Sequence, residues 1–187
     1  MTHTSMLVLA AAALAETAHA RQRRKYTNEP YIVHCARVAR TVASVTDDED
    51  VVAAAWLHDT VEDTTIRLDD LRCQFGARVA TLVEMVTNVA VPGDGNRARR
   101  NEINLQHMMN ASPQAQTIKY ADLIDNTGSL VAHDREFARI YLGEKARVLD
   151  GLTQGHAGLR AQASGMLCVG LESLDTDPAE RRAPAPG

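Results

Sequence analysis

Apolar side chains recur every three or four positions along most of this chain, the period of helices that lie with one face on a core. Over residues 5–21, Leu7, Ala10, Leu14 and Ala18 fall roughly on one face and predict a first helix. The stretch RRKYTNEP (23–30) is a basic, turn-rich connection. Pro30 then stands at the start of a second helix, YIVHCARVARTVASV, where its missing N–H costs little. The acidic run TDDED (46–50) predicts a helix start, with Asp47 or Asp48 as cap and the acids near the positive end of the dipole. The helix it opens runs from about 49 to 63. TTIRLDDLRCQFG holds a short helix ended by Gly76, and residues 77–88 form another with the stripe Val79, Leu82, Val83 and Val86.

VAVPGDGNRARRN (89–101) reads as a loop, followed by a helix through about Asn110. Ser112-Pro113 is a restart, N-cap then N1, for a helix carrying QAQTIKYADLIDNT and ending near Gly128. Residues 134–150 and 155–172 give two final helices. No segment reads as a strand, and none repeats. The expected fold class is therefore all-α, a helical bundle in one domain over residues 1–172, with a Pro-rich, charged and disordered tail over 173–187.

Composition agrees. The 187 residues suit one domain with a real core, and the chain is 45% hydrophobic but only 4% aromatic, rich in Ala, as a helical protein would be. A net charge of −4 points to neither nucleic acid nor an anionic membrane as partner. Cys35, Cys73 and Cys168 form no CxxC pair and their odd number fits no disulfide framework, so reduced, buried thiols in a cytoplasmic protein are expected. MLVLAAAALAETAHA has the outline of a secretory signal with an A-x-A site. MTHTS has no basic residue, however, and Glu16 interrupts the apolar run, so the first helix is preferred. The run is too short to span a membrane.

The chemistry concentrates in WLHDTVEDTT (56–65), where a nearly all-apolar segment ends in His58, Asp59, Glu62 and Asp63. On a continuous helix Glu62 lies about 40°, Asp59 about 100° and Asp63 about 140° from His58, one broad face. Three clustered carboxylates repel one another unless a cation or protons intervene, and a metal ion supplies that charge. A lone His-Asp pair is more often a surface dipeptide at a helix end. Here it closes an apolar run and two acids follow in register. Adjacent His and Asp cannot fill a coordination sphere, so other ligands must come from elsewhere. His34 stands in an apolar helix, a setting that more often means a satisfied core residue. In IKYADLIDN, Asp122 sits on the buried-looking part of its helix, while Asp125 reads as readily as a solvated acid.

RRKYTNEPYIVH, AAWLHDTVEDTT, FGARVATLVEMVT and IKYADLIDN together resemble, in order and spacing, the HD-type hydrolase domain of RelA/SpoT proteins. The likeness is greatest to stand-alone small alarmone hydrolases and covers roughly residues 7–152. HD alone is a weak motif. HDxVEDT joined to EPYIxH and a later KxAD…N is specific. The resemblance implies an HD-domain helical bundle in which His34, His58, Asp59 and Asp122 bind one metal, usually Mn²⁺, with Fe²⁺ or Zn²⁺ also suited to such a set. It further implies that Glu62 and Asp63 position or activate water, that Asn126 lies near the ribose and phosphates, and that Arg24 and Lys25 contact base and phosphates. The implied reaction removes pyrophosphate from the 3′ position of guanosine tetra- or pentaphosphate, a small-molecule nucleotide. Arg97, Arg99 and Arg100 are candidates to hold the polyanion, against an even alternative of a solvated loop. This chain has Cys35 where the family has Pro, an altered basic loop, and Gly128 where an Arg is common. These departures leave an adenosine alarmone or a 3′-phosphorylated nucleotide as an alternative substrate. An inactive alarmone-binding module is the other alternative, disfavoured because the ligands and the acid pair are both intact.

Overall fold

The computed structural model describes residues 5–130 and 135–175. Ten α-helices and one 3₁₀ turn carry these residues, with no strand among them beyond a single bridge between Arg23 and Pro30. The core is built on α3 (Glu49–Leu57), which packs against α1 (Met6–Ala18), α2 (Tyr31–Ala43), α6 (Ala77–Val86) and α8 (Pro113–Leu130). A helix enclosed on all sides has no room for a polar face, which is why Val51, Ala53, Ala54, Ala55 and Leu57 are all buried. The alanines let neighbours approach closely. From α1, Ala11 and Ala15 are likewise fully buried, so the N-terminal apolar run is part of the core.

Caps fall where the sequence places several of them. Ser5 Oγ accepts the Val8 N–H at 3.4 Å, Asp48 Oδ1 accepts from Asp50 at 3.2 Å, and Ser112 Oγ accepts from Ala115 at 3.3 Å. The short α5 (Leu68–Phe75) stops at Gly76, whose φ of 88° only glycine adopts freely. All four residues of the α6 stripe are buried.

Three boundaries differ from expectation. The helix expected over 49–63 is broken: α3 ends at Leu57, and α4 (Thr60–Asp63) restarts after a turn at His58 and Asp59. Side chains compete for the last carbonyls. His58 Nδ1 donates to Ala55 O at 2.8 Å and Thr60 Oγ1 to Leu57 O at 2.7 Å, while Asp59 relaxes to φ −102°, ψ −4°. The presumed loop over 89–101 holds a 3₁₀ turn (Pro92–Asp94), and α7 (Arg97–Met109) begins inside it because Asn96 Oδ1 caps the Arg99 N–H at 3.0 Å. At the far end α10 (Ala157–Asp175) follows α9 (Arg135–Gly151) and covers 173–175, where disorder was expected. Residues 176–187 lie outside the described residues.

The α9–α10 connection is pinned to α8. Tyr120 Oη donates to Leu152 O at 2.7 Å, and a Cβ at Gly155 would lie 2.4 Å from Tyr120 Cε2 and 2.9 Å from the Thr117 amide nitrogen. Glycine is required there by close approach. Only Cys35 is a buried thiol; Cys73 and Cys168 are exposed, contrary to expectation, and all three are free.

Candidate metal centre and its flanking cavities

α2 carries His34, the α3–α4 turn carries His58 and Asp59, and α8 carries Asp122, and helix packing brings the four together. The two Nε2 atoms are 3.2 Å apart. Asp59 Oδ2 lies 3.0 Å from His58 Nε2 and 3.4 Å from His34 Nε2. Asp122 Oδ1 lies 3.5 Å from His34 Nε2 and, at the widest, 3.9 Å from His58 Nε2. Ion–ligand bonds of about 2.0–2.2 Å place neighbouring ligand atoms about 2.9–3.6 Å apart around one ion, so the spacing of His34, His58 and Asp59 fits a shared divalent cation, with Asp122 at the edge of that group and its oxygens bonded to Asn126 and Lys119.

The tautomers suit this. Each Nδ1 is engaged, His58 with the Ala55 carbonyl and His34 with Asp125 Oδ2 at 2.7 Å, which leaves both Nε2 atoms facing the centre. Electrostatics show how strongly the site calls for positive charge. Burial opposes a charged His34, yet the hydrogen bonds of Asp125 and Asp59 and the field of Asp122 raise it to about 9. Burial likewise opposes a charged Asp59, but His58 and His34 hold its carboxyl well below the usual range. Asp122 is kept low against burial chiefly by Lys119, whose Nζ is 2.7 Å from Oδ2.

The ED pair lies one turn on, and both residues are exposed but differently held. Glu62 is clamped: Asn88 donates to it through its backbone N–H at 3.1 Å and through Nδ2 at 2.7 Å. Asp63 is tied by its backbone, whose carbonyl accepts from Gln22 Nε2 at 2.6 Å. Partial burial of its carboxyl and repulsion by Asp59 and Glu62 raise its pKa, against Tyr31 and His19.

Two cavities flank the centre. One, of about 300 Å³, is lined by Arg24, Lys25, Tyr26, Tyr31, Asn126, Phe137 and Tyr141 among others. Arg24 Nη1 donates to Asn126 Oδ1 at 2.7 Å and Asn126 Nδ2 to Asp122 Oδ1 at 2.5 Å, so the basic loop is wired to the centre. Lys25 Nζ lies 4.9 Å from the Tyr26 ring centroid and 5.5 Å from that of Phe137. The other cavity, of about 150 Å³, lies between α7 and α9 and touches Asn88 and Lys119. The three candidate arginines line neither cavity. Arg97 is held by Glu144 in two bonds of 2.7 Å, Arg100 Nη1 donates to Gly95 O at 2.6 Å, and Arg99 is exposed on the first turn of α7.

The HD domain family matches residues 11–143. This chain belongs to the HD-domain family. Among curated relatives, the guanosine-3′,5′-bis(diphosphate) 3′-pyrophosphohydrolase of Homo sapiens is 39% identical over 127 residues, 66% of this chain and 69% of that protein. The enzyme of the same name from Aquifex aeolicus is 36% identical over 116 residues, 62% of this chain but 16% of that protein. This chain thus spans about a sixth of the length of that bacterial relative. A solved structure described as a metazoan orthologue of SpoT that hydrolyses ppGpp superposes with a TM-score of 0.82 at 28% identity, covering 91% of this chain and 99% of that one.

Two further residues, Asp125 and Arg37, support the centre. Asp125, taken as readily for a solvated acid, has a side chain only 10% exposed; besides orienting His34 it binds Arg37 Nε and lies 3.7 Å from Arg24 Nη2. Its hydrogen bonds to His34 and Arg37 outweigh burial and bring it down to about 2. Arg37 is also paired with Glu29 at 3.1 Å. The available signal was spacing: Asp125 is three residues from Asp122 and Arg37 three from His34, each on the same helix face as its candidate ligand. Gly128 lines a groove toward α10, where Met166 Cε lies 3.8 Å from the position of an added Cβ.

Proposed function

We propose that this protein is a metal-dependent hydrolase that removes pyrophosphate from the 3′ position of guanosine tetra- or pentaphosphate. The observation that carries the reading is the convergence of two imidazole Nε2 atoms and the Asp59 and Asp122 carboxylates beside the Glu62–Asp63 pair. His34, His58, Asp59 and Asp122 would hold the ion. Two nitrogens with carboxylate oxygens suit Mn²⁺, and Fe²⁺ or Zn²⁺ would bind such a set too. When bound, the ion supplies Lewis acidity and lowers the pKa of water. Asp63 takes the proton of the attacking water, a task its raised pKa favours, while Glu62 is fixed by Asn88 at the wall of the site. Attack forms a water oxygen–phosphorus bond and breaks the phosphorus–oxygen bond to the ribose, and the proton taken up by Asp63 is returned to the departing 3′ oxygen, which leaves as a hydroxyl.

The larger cavity fits the nucleoside end. Tyr26, Tyr31, Phe137 and Tyr141 give it an aromatic wall suited to a base, and Arg24 and Lys25 offer charge to phosphates. Arg97 reaches the rim of the larger cavity, with its guanidinium 5.2 Å from the Phe137 ring centroid, but is paired with Glu144, while Arg99 and Arg100 lie outside both cavities. The reading places the protein in the cytoplasm, in keeping with its free thiols; no described helix is long and apolar enough to cross a membrane.

The test is a panel of 2′-, 3′- and 5′-phosphorylated guanosine and adenosine nucleotides, offered to stripped protein with Mn²⁺, Fe²⁺ or Zn²⁺ restored. Turnover of guanosine 3′-diphosphates with release of pyrophosphate is expected. If 3′-diphosphates are inert with Mn²⁺ bound, the proposal fails, and a clear preference for adenosine moves the base assignment. Replacing Asp125 by Ala should lower metal affinity roughly 10- to 100-fold, because His34 loses the partner that fixes its ring and tautomer. A calorimetric metal titration indistinguishable from that of the parent protein would remove Asp125 from this role.

A further inference from the structure

The smaller cavity is absorbed neither by the metal centre nor by the nucleoside site. At about 150 Å³ it is well below the roughly 300 Å³ at which pockets begin to hold drug-sized ligands, but it has room for a phosphate group. It adjoins the reacting groups at two points. Lys119, in its lining, is bonded to Asp122, and Asn88, also in its lining, is bonded to Glu62.

The charges in its wall are nearly all matched. Lys119 is paired with Asp122 at 2.7 Å, Arg147 with Glu102 at 3.1 Å, and Glu144 with Arg97 at 2.7 Å. Lys145 is the cation left over: among the described residues it makes no salt bridge, and its Nζ rests 5.0 Å from the Tyr141 ring centroid. One turn earlier on α9, Tyr141 lines the larger cavity, so α9 runs past both. Burial and the charge of Lys119 push the Lys145 ammonium down to about 8, against Asp122, Glu144 and Glu62. An entering anion would relieve both penalties.

We propose that this cavity receives the outer phosphate of the 3′-diphosphate, and that Lys145 is the side chain that binds it. The inference rests on the 3′-pyrophosphohydrolase reading above and adds a determinant to it: the cavity selects a 3′-diphosphate over a 3′-monophosphate. The inner phosphate sits between the metal centre and Asp63, the nucleoside lies toward Tyr26 and Phe137, and the outer phosphate points the opposite way, between α7 and α9.

The experiment titrates inorganic pyrophosphate, and separately orthophosphate, into the full chain carrying one bound ion and no free ion. Wild type, Lys145→Met, Lys145→Gln and Lys145→Arg are compared by calorimetry, each checked for an unaltered thermal melt. Pyrophosphate affinity should fall about tenfold in Lys145→Met and Lys145→Gln, the size of one charge-assisted hydrogen bond, and recover in Lys145→Arg. Orthophosphate affinity should not change. In turnover, KM for a 3′-diphosphate nucleotide should rise about tenfold with kcat little altered, as for loss of uniform binding. Equal pyrophosphate affinity in wild type and in whichever neutral variant folds overturns the proposal. If no 3′-diphosphate nucleotide is turned over, yet pyrophosphate binding still depends on Lys145, the proposed reaction fails and the anion site stands. If turnover is as proposed and pyrophosphate binding ignores Lys145, the site fails alone.

Discussion

Replacing Asp59 by Ala should abolish both metal binding and turnover. Asp59 is placed to be the hub of the centre, with Oδ2 lying 3.0 and 3.4 Å from the two imidazole nitrogens and accepting the Tyr31 hydroxyl at 2.7 Å. Removing it deletes one proposed ligand and also the charge that draws a cation between His34 and His58. A thousandfold fall in kcat/KM corresponds to about 4 kcal/mol of lost transition-state stabilisation, and the effect here should be at least that large. Asp59→Asn keeps an acceptor for Tyr31 and nearly the same volume, so it isolates the charge. It should fold like the parent protein and still bind metal poorly. Metal titration and steady-state rates on the two variants decide the matter. An Asp59→Ala protein that retains a tenth of its activity, or its full metal stoichiometry, would take Asp59 out of the ligand set.

The parts of this centre that were legible in the sequence depend on one element at a time. The stripe of α6, the Ser112-Pro113 restart and the burial of His34 and Asp122 each follow from local periodicity, and the structure shows all of them. What was missed depends on two elements meeting. Whether Asp125 is solvated or orients His34 is decided by how α8 packs on α2, and Arg37 and Glu29 join only across that contact. The break after Leu57 was hidden for a different reason. His58, Asp59 and Thr60 are compatible with a helix interior, and only the competition of the His58 and Thr60 side chains for the carbonyls of Ala55 and Leu57 ends it. Arg97 meets the same limit. The sequence leaves it evenly a phosphate ligand or a solvated loop residue, and Glu144, 47 positions away in the chain, holds it with two bonds. Pairing of that kind carries no signal in the sequence around either residue.

The acid pair offers the second large effect, and it separates proton handling from metal binding. Asp63→Asn should lower kcat by roughly 10²- to 10⁴-fold, the usual contribution of a positioned general base, while metal affinity stays within a factor of about two. The sign of its pH behaviour follows from its surroundings. Partial burial and the charges of Asp59 and Glu62 raise its pKa, and a base works only when deprotonated. The acid limb of the rate profile should therefore lie above the ordinary aspartate range, and Asp63→Asn should lose that limb along with the rate. Glu62→Ala should also reduce turnover with metal retained. Its path differs, because Asn88 loses the carboxylate that holds its side chain and backbone N–H in place. The drop should accordingly be smaller than for Asp63→Asn, and Glu62→Gln, which keeps an acceptor for Asn88, should recover part of it. If either variant loses metal as completely as Asp59→Ala, the division between ligands and proton-handling acids is wrong. If Glu62→Gln proves the more damaging and Asp63→Asn the milder, the two acids exchange roles.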